Sequence, residues 1–495
     1  MKPFQTLLFI FSIFVLLFFM AWIFPERGIQ AGKHVHLKFA SLNDFLEEDT
    51  VQYADISEIL KNTQVPLSDQ ATDSIIALIA VSSENEVITE VTEETLANAD
   101  SLRKVSYAFE YSGEYPTALY PFFRKLRILK SQKKLVRILH YGDSQIEDDR
   151  MSSFIRYKLQ TYFGGSGCGT FPVVPLYNGH LSISQEYSDN WERFTGFPNT
   201  DTTIDHNRFG ALFSFARQKN ADTSAVNSWL KISPSSKAYS TSRVYSDVAL
   251  FVQPEYQPMQ LRVLKNNSLI DSVVLQPNGV LRKLKWKFGE TPEELKFEFS
   301  GHGIASVYGV SADNSWGVAL DNIPLRGSSG LVFSKTDTAF LSQMYDLMDV
   351  GLIILQFGGN VVPYMTENFN SYERYFKREL SVIRRIRPGV PVIVIGPSDM
   401  SVKDKDNFIT YPNLEGVRDA IRRATLESGF VYWDMYEAMG GRNSMPSWVN
   451  AKPSLATSDY VHFNSRGAKI IAEMFWNALL SEYEFWLVRS QSVKK

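Results

Sequence analysis

Cysteine is nearly absent: Cys168 is the one cysteine in 495 residues. No intramolecular disulfide can form, and there is no thiolate cluster to hold zinc. Basic charge is not in excess either, because 51 Lys and Arg stand against 54 Asp and Glu for a formal charge of -3. Nothing in that total would neutralise a phosphate backbone, so a nucleic-acid partner is disfavoured. Histidine is scarce, and its seven positions (His34, His36, His140, His180, His206, His302 and His462) allow a candidate imidazole base to be sought one by one. Internal repeats and low-complexity tracts are lacking as well. The chain is about three times the length of a typical domain, which predicts more than one folded unit.

What the sequence does have is unevenly spread. Between Pro3 and Pro25 there is no charge, and the run FQTLLFIFSIFVLLFFMAWIF is long enough to span a bilayer, which needs about 20 apolar residues. It ends in Trp22-Ile23-Phe24-Pro25 without a small-residue cleavage site, so an uncleaved signal anchor over 1–25 is expected rather than a removed leader. A buried core helix fits poorly with a segment apolar on every side. Lys2 lies on one flank and Arg27, Lys33 and Lys38 on the other, so charge specifies orientation weakly. An amino terminus inside and an exported remainder is the expected arrangement: a single-pass inner-membrane protein with its body on the periplasmic side. From Ser41 to Glu110 there are 15 acidic residues and 3 basic ones. That composition reads as a solvated stem or linker over 26–115, holding a body off the membrane.

Beyond the stem, Leu135 to Tyr141 reads as a strand ended by Gly142, and Met151, Phe154, Ile155, Leu159 and Tyr162 recur at helical spacing up to Gly164-Gly165. From Phe171 to about Val318 the texture changes to short alternating or β-branched runs separated by Asn266-Asn267, Pro277-Asn278-Gly279 and Gly301-His302-Gly303, the pattern of a β-sandwich, jelly-roll-like. Strand and helix then alternate. Gly351–Gln356, Pro391–Ile395 and Phe430–Trp433 read as strands, and Tyr372–Arg387, Leu414–Ser428 and Gly467–Glu482 as helices. Such alternation implies a mostly parallel sheet covered on both faces. The predicted architecture is one α/β domain, 116–170 and 321–490, split by an inserted β-sandwich at 171–320.

In open α/β sheets, sites form at the carboxyl ends of strands. Ser144 closes the first strand, where it would sit at a helix amino terminus whose positive end favours an oxyanion. Asn360 follows the strand GLIILQ in Phe357-Gly358-Gly359-Asn360, with two glycines that would let the backbone approach a ligand. Gly327 lies where the insert hands back to the sheet. Asp459 and His462 lie just before the last helix. A serine hydroxyl becomes a nucleophile when an imidazole takes its proton, and the imidazole works best when a carboxylate fixes its tautomer. Ser144, Asp459 and His462 can supply those parts, with the Ser144 and Gly327 backbone N–H groups and the Asn360 amide as oxyanion donors.

Singly these signals are weak, but their order is specific. Gly142-Asp143-Ser144, Gly327, Gly358-Gly359-Asn360 and Asp459-x-x-His462 resemble, in sequence order, the blocks of the SGNH, or GDSL-type, hydrolase superfamily. The resemblance covers about 330 residues and implies a flavodoxin-like three-layer α/β/α fold. It also implies no metal or other cofactor, and hydrolysis or transfer of an O-acyl group by a Ser-His-Asp mechanism. Val361 stands where many members have Asp, and Gln145 replaces the Leu of the GDSL name; neither change removes a catalytic atom. The segment His140 to Glu147, the inserted β-domain and the anchor look closest to the bacterial cell-envelope branch, which includes peptidoglycan O-acetylesterases and proteins working beside membrane-bound O-acyltransferases. The expected substrate is therefore an acetylated envelope polysaccharide or another acyl ester. A catalytically inactive carbohydrate-binding or assembly component, and a lipase-type esterase, are the competing readings.

Other residues have plainer expectations. His140, on the strand before Ser144, reads as a packed or hydrogen-bonded core residue. His34 and His36 are too few to hold a metal, and His180, His206 and His302 have no carboxylate in a recognisable block. Glu147, Asp148, Asp149 and Arg150 suit a helix start as well as a substrate contact. Trp191, Trp229, Trp286 and Trp316 could stack on sugars, but a sandwich core also needs aromatics. Cys168 sits in a Gly-rich loop without the Lys-Ser/Thr ending of a phosphate-binding loop, and reads as a small filler residue.

Overall fold

The computed structural model describes residues 3–24, 29–30, 36–37, 39, 51–64, 107–176, 181–219, 226–364, 366 and 368–492. Lys2, Arg27, Lys33, Lys38, His34, His180 and most of the expected stem lie outside them; of His36 only the backbone is described. Residues 1–52 and 53–495 form two separate units. In the first, the uncharged run forms helix α1 (Pro3–Ile23). Its 21 residues span about 31 Å at 1.5 Å each, and among the described residues it is the one helix long and apolar enough to cross a membrane.

The second unit begins with α2 (Ser57–Gln64), started by the Asp55 carboxylate, which accepts from the Ser57 N–H at 2.9 Å. This segment falls inside the expected stem, yet it is bound to the body. Ile56 is buried, the Ala54 N–H donates to Asn443 O, and Ser447 Oγ donates to Ala54 O. Residues 107–111 also join the body, because Glu110 exchanges backbone hydrogen bonds with Tyr432 and Phe109 is buried. A net acidic composition does not stop a few apolar side chains from docking.

Next come α3 (Tyr120–Gln132), β1 (Leu135–Gly142) and α4 (Ser152–Phe163). The antiparallel strands follow: β2 (Gly167–Phe171), β3 (Ile183–Tyr187), β4 (Trp191–Thr195), β5 (Ser214–Gln218), β6 (Val226–Pro234), β7 (Asp247–Glu255), β8 (Met259–Lys265), β9 (Ser268–Leu275), β10 (Arg282–Lys287), β11 (Leu295–Gly301) and β12 (Ile304–Asp313). The chain then returns to the α/β body with β13 (Gly317–Pro324), α5 (Thr338–Met348), β14 (Val350–Gln356), α6 (Asn370–Ile386), β15 (Val392–Ile395), the hairpin β16 (Ser401–Asp404) and β17 (Asn407–Thr410), α7 (Leu414–Glu427), β18 (Val431–Trp433), α8 (Met435–Ala438), α9 (Ser444–Asn450) and α10 (Ser465–Ser492).

The body sheet has the order β13-β1-β14-β15-β18, every pair parallel. Numbered within the sheet this is 2-1-3-4-5, the flavodoxin-like order. Strand side chains alternate between its faces. Val136, Ile138, Leu352, Ile354 and Trp433 pack with Phe122, Leu159 and Phe475 of α3, α4 and α10. Leu139, Tyr141, Ile353, Leu355 and Tyr432 pack with Met344, Phe376 and Ile421 of α5, α6 and α7. Three layers result, and burial on both faces explains why β14 reads as a nearly continuous apolar run.

The insert is a sandwich of two antiparallel sheets, β9-β8-β11-β6-β3 and β10-β7-β12-β5-β4, with β2 also paired to β12. Leu230, Leu261, Val263, Phe297 and Phe299 of one sheet meet Val248, Leu250, Val252 and Val310 of the other in its core. The other face of the six-stranded sheet is not solvated. Phe215, Phe251 and Tyr308 join Leu341, Met344 and Met348 of α5 in the body core. Its strands begin at Gly167 and end at Asp313, and Gly317 to Leu320, expected within the insert, pair instead with Leu135 to Ile138 in the parallel sheet. The short turn between β12 and β13 hides this change of partner, since both strands read as apolar.

A buried ion cluster marks that junction. Arg137 of β1 donates to Asp313 at the end of β12 and to Asp321 of β13, each at 2.5 Å, with Thr170 of β2 at 3.1 Å. Burial pushes the Asp321 carboxyl up, against the opposing pull of the Arg137 charge. Removing one partner from such a cluster costs about 3–5 kcal/mol. The body and insert are thus tied together where the chain passes between them.

Candidate active site

The carboxyl ends of β1, β13 and β14 converge where the strand order reverses, the usual position of a site in an open α/β sheet. Ser144 follows β1 directly. Its Oγ lies 2.8 Å from His462 Nε2, and His462 Nδ1 lies 2.7 Å from Asp459 Oδ2. Residues 318 positions apart in sequence are brought into one chain of contacts. Asp459 Oδ1 accepts from the Val461 and His462 N–H groups at 2.9 and 3.0 Å and from Thr457 Oγ1 at 2.5 Å. Burial alone would raise this carboxyl, but the hydrogen bonds from Thr457, the His462 ring and the two backbone groups outweigh it and hold it below the usual carboxylate range. An ionised acceptor on Nδ1 keeps the proton on that nitrogen and leaves Nε2 free to take one from Ser144.

The serine turn differs from the helix start expected of it. Ser144–Asp149 is a short 3₁₀ segment interrupted at Glu147 and Asp148, the latter at φ 55°, and regular helix begins at Ser152. The positive end of a long helix therefore does not sit at Ser144. Asp143 starts the segment by accepting from the Gln145 N–H at 3.0 Å, and burial pushes its carboxyl up to about 6.

A cavity of about 260 Å³ opens beside Ser144 and His462, walled by Phe357, Asn360, Pro397, Met400 and Met435 with Tyr364 at its rim. Asn360 Nδ2 donates to Ser328 O at 3.2 Å. An Asn amide has two N–H donors, so one bond fixes its direction and the second is available to a ligand. Gly327, at φ +82°, lies in the loop after β13 with no heavy atom within 4 Å of where a Cβ would be; it is not part of the cavity wall. Gly358, at φ +128°, is required by packing rather than by a ligand, because a Cβ there would come within 2.8 Å of Ile421. Of the two glycines before Asn360, Gly359 is the one that faces the cavity. The arrangement supplies a hydroxyl, a base with an oriented tautomer, and an amide donor at one opening.

Against solved structures, a peptidoglycan O-acetylesterase superposes with a TM-score of 0.61 at 22% identity, over 76% of this chain and 98% of its own. A GDSL-like lipase from Bacteroides ovatus ATCC 8483 reaches 0.22 at 10% identity, over 59% and 96%. A family two carbohydrate esterase from Clostridium thermocellum reaches 0.23 at 8% identity, over 60% and 99%. Of these three, the first superposes closely enough to compare folds. The chain has the SGNH/GDSL hydrolase fold. No family model and no curated protein matches it.

On the SGNH/GDSL fold the four sequence blocks fall on the loops around one cleft: Ser144, Asn360 and His462 line the cavity, Asp459 supports His462 from behind, and Gly327 stands off its wall. Sequence reasoning passed over the contacts that hold these loops together. Gln145 Nε2 donates to Val461 O at 2.6 Å and to Ser398 Oγ at 3.1 Å, and Arg150 donates to Ser144 O at 2.6 Å and Phe463 O at 3.1 Å. Arg326, next to Gly327, grips the Glu147 carboxylate with two nitrogens. Tyr460, at φ 58°, stacks flat on Phe408 of the β16–β17 hairpin at 3.7 Å. None of these pairs has a fixed sequence spacing, so no motif could reveal them; Glu147 is engaged by Arg326 rather than merely capping a helix.

The other histidines and tryptophans fall where packing puts them. His140 is fully buried between Gln356 Oε1 at 3.1 Å and Ser152 Oγ at 2.8 Å. Trp191 and Trp286 are in the sandwich core, while Trp229 and Trp316 are half-buried, each with a lysine over its ring. Cys168 is buried in β2, and burial pushes its thiol far up, so it is not a thiolate nucleophile. No group of acidic, His or Cys side chains among the described residues could hold a metal ion.

Proposed function

We propose that this protein is a membrane-anchored, exported serine O-acyl esterase or acyltransferase acting on acetylated cell-envelope polysaccharide, such as the O-acetyl groups of peptidoglycan. The observation that carries the reading is the continuous Ser144–His462–Asp459 contact chain at the mouth of the cavity. Ser144 Oγ attacks the ester carbonyl carbon while His462 Nε2 takes its proton, and Asp459 holds the Nδ1–H and balances the imidazolium. The oxyanion of the tetrahedral intermediate is received by the Ser144 N–H and the free N–H of the Asn360 amide, whose residues line the cavity; Gly327, the third expected donor, stands off its wall. Collapse expels the sugar hydroxyl, which takes the proton from His462, and leaves an acyl-serine. Water, or a second sugar hydroxyl, then attacks the acyl-serine by the reverse steps. The apolar helix α1 supplies the anchor, and the peptidoglycan O-acetylesterase relative supports an extracytoplasmic substrate.

The test is acetate release from O-acetylated peptidoglycan, measured beside acetyl transfer to an unacetylated glycan acceptor, with Ser144→Ala as control. Loss of both activities in the variant is expected; equal activity would remove Ser144 from the mechanism. Transfer that exceeds release, with a membrane-bound O-acyltransferase as donor, would make the protein a transferase. Glycan binding without turnover would favour the inactive binding component.

A further inference from the structure

Ser144 and His462 come from loops with no backbone hydrogen bond between them, so something else must hold the 2.8 Å contact. The main-chain groups on both sides of His462 are taken up by side chains of the serine turn. Gln145, 8% exposed, donates its amide N–H to Val461 O at 2.6 Å and accepts the Phe463 N–H at 3.4 Å, while its other N–H reaches Ser398 Oγ in the loop after β15. Arg150 joins Ser144 O to Phe463 O through separate guanidinium nitrogens, at 2.6 and 3.1 Å. A glutamine is suited to this because it offers donors and an acceptor at one end, and Val461 and Phe463 present one free carbonyl and one free N–H. A leucine at 145 would have similar bulk and none of these bonds.

We propose that Gln145 and Arg150 are positioning residues for acyl transfer, a two-pronged clamp that fixes His462 against Ser144; Gln145 also lines the cavity, but its amide atoms are taken up by Val461, Phe463 and Ser398. The proposal rests on the acyl-transfer reading above. The clamp sets the distance and direction from Oγ to Nε2, and proton transfer is steep in both. A misplacement of about 1 Å is enough to slow a reaction ~100-fold. Because the clamp bonds to the histidine loop and not to the ester, its loss slows the chemical step more than it weakens ester binding.

The experiment compares wild type, Gln145→Leu and Arg150→Lys on p-nitrophenyl acetate, with competent sites counted by a fluorophosphonate and folding followed by thermal unfolding. For Gln145→Leu the expected result is a kcat per titrated site lower by roughly 10–100-fold, an inactivation rate by the fluorophosphonate lower by a similar factor, and a KM that changes far less than kcat. Arg150→Lys, which keeps the charge but cannot span both carbonyls, is expected to fall between the two. Full kcat per titrated site in both variants would overturn the clamp, and so would a lowered unfolding temperature with kcat per site intact, since that is fold support alone. A wild-type protein that neither turns over the ester nor reacts with the fluorophosphonate would instead sink the acyl-transfer reading, and the clamp with it.

Discussion

Within the α/β body two serine–histidine pairs have the same spacing: Ser144 Oγ to His462 Nε2 and Ser152 Oγ to His140 Nδ1 are both 2.8 Å. Their surroundings differ in three ways. The second nitrogen of His462 meets the Asp459 carboxylate, whereas that of His140 meets the neutral amide of Gln356. The His462 side chain is 28% exposed at the cavity, and His140 is 0% exposed. The Ser144 hydroxyl has His462 as its partner, while the Ser152 hydroxyl donates to Asn322 Oδ1 at 2.7 Å. In the proposed mechanism, distance alone therefore does not make a nucleophile. A carboxylate to stabilise the imidazolium, access for a carbonyl carbon and a hydroxyl free to give up its proton are the features that separate the pairs.

The comparison can be broken most directly at the serines. Ser144→Ala is expected to lower kcat by roughly 10⁶-fold, measured as ester hydrolysis, whereas Ser152→Ala should leave kcat per titrated site unchanged. Comparable losses in both would erase the distinction. Next in size, Asp459→Asn should lower kcat by roughly 10³–10⁴-fold, because the amide no longer stabilises the imidazolium; a mild effect would mean that Thr457 and the backbone orient His462 without the charge. Smaller again, Ser152→Ala should cost about 1–3 kcal/mol of stability in denaturant unfolding, since it leaves the Nδ1 of fully buried His140 without that partner.

The smallest effect is on the pH dependence of stability. Burial pushes the His140 imidazole down to about 4, from 6.5 in the unfolded chain. Between those pH values the unfolded state binds a proton that the folded state does not, so this group makes the fold less stable as pH falls from 6.5 to 4. Asp143, Asp399 and Asp434, each pushed up to about 6 by burial, act in the opposite sense over much of the same range. The useful quantity is therefore a difference. Stability of the wild type should fall more steeply on acidification than that of His140→Asn, by up to about 1.4 kcal/mol per pH unit. Parallel slopes would show that His140 is protonated in the folded protein.

The two pairs also show how far the sequence can be read. His462 was legible because its carboxylate lies three residues away and its block precedes the last helix. His140 was legible as a core residue because it lies inside a strand. The parallel sheet was readable from apolar runs such as Gly351–Gln356, whose burial on both faces leaves a simple pattern. Helix α5 was passed over although its buried residues Phe340, Leu341, Met344, Tyr345 and Met348 recur at helical spacing, because its 11 residues belong to no recognisable block. The start of β13 was hidden because two buried strands follow one another across a short turn. Gln145 and Arg150 were invisible as partners of the histidine loop because their contacts cross more than 300 residues.

The most direct test of the central claim, that Ser144 carries the acyl group, is mass analysis of acid-quenched protein taken during turnover of an acetyl ester. The expected result is an added acetyl mass on the peptide containing Ser144, absent from Ser144→Ala and accumulating when His462 is replaced only to the extent that the ester itself is activated. Continued turnover with no acyl group on Ser144, or with the acyl group on another residue, would contradict it.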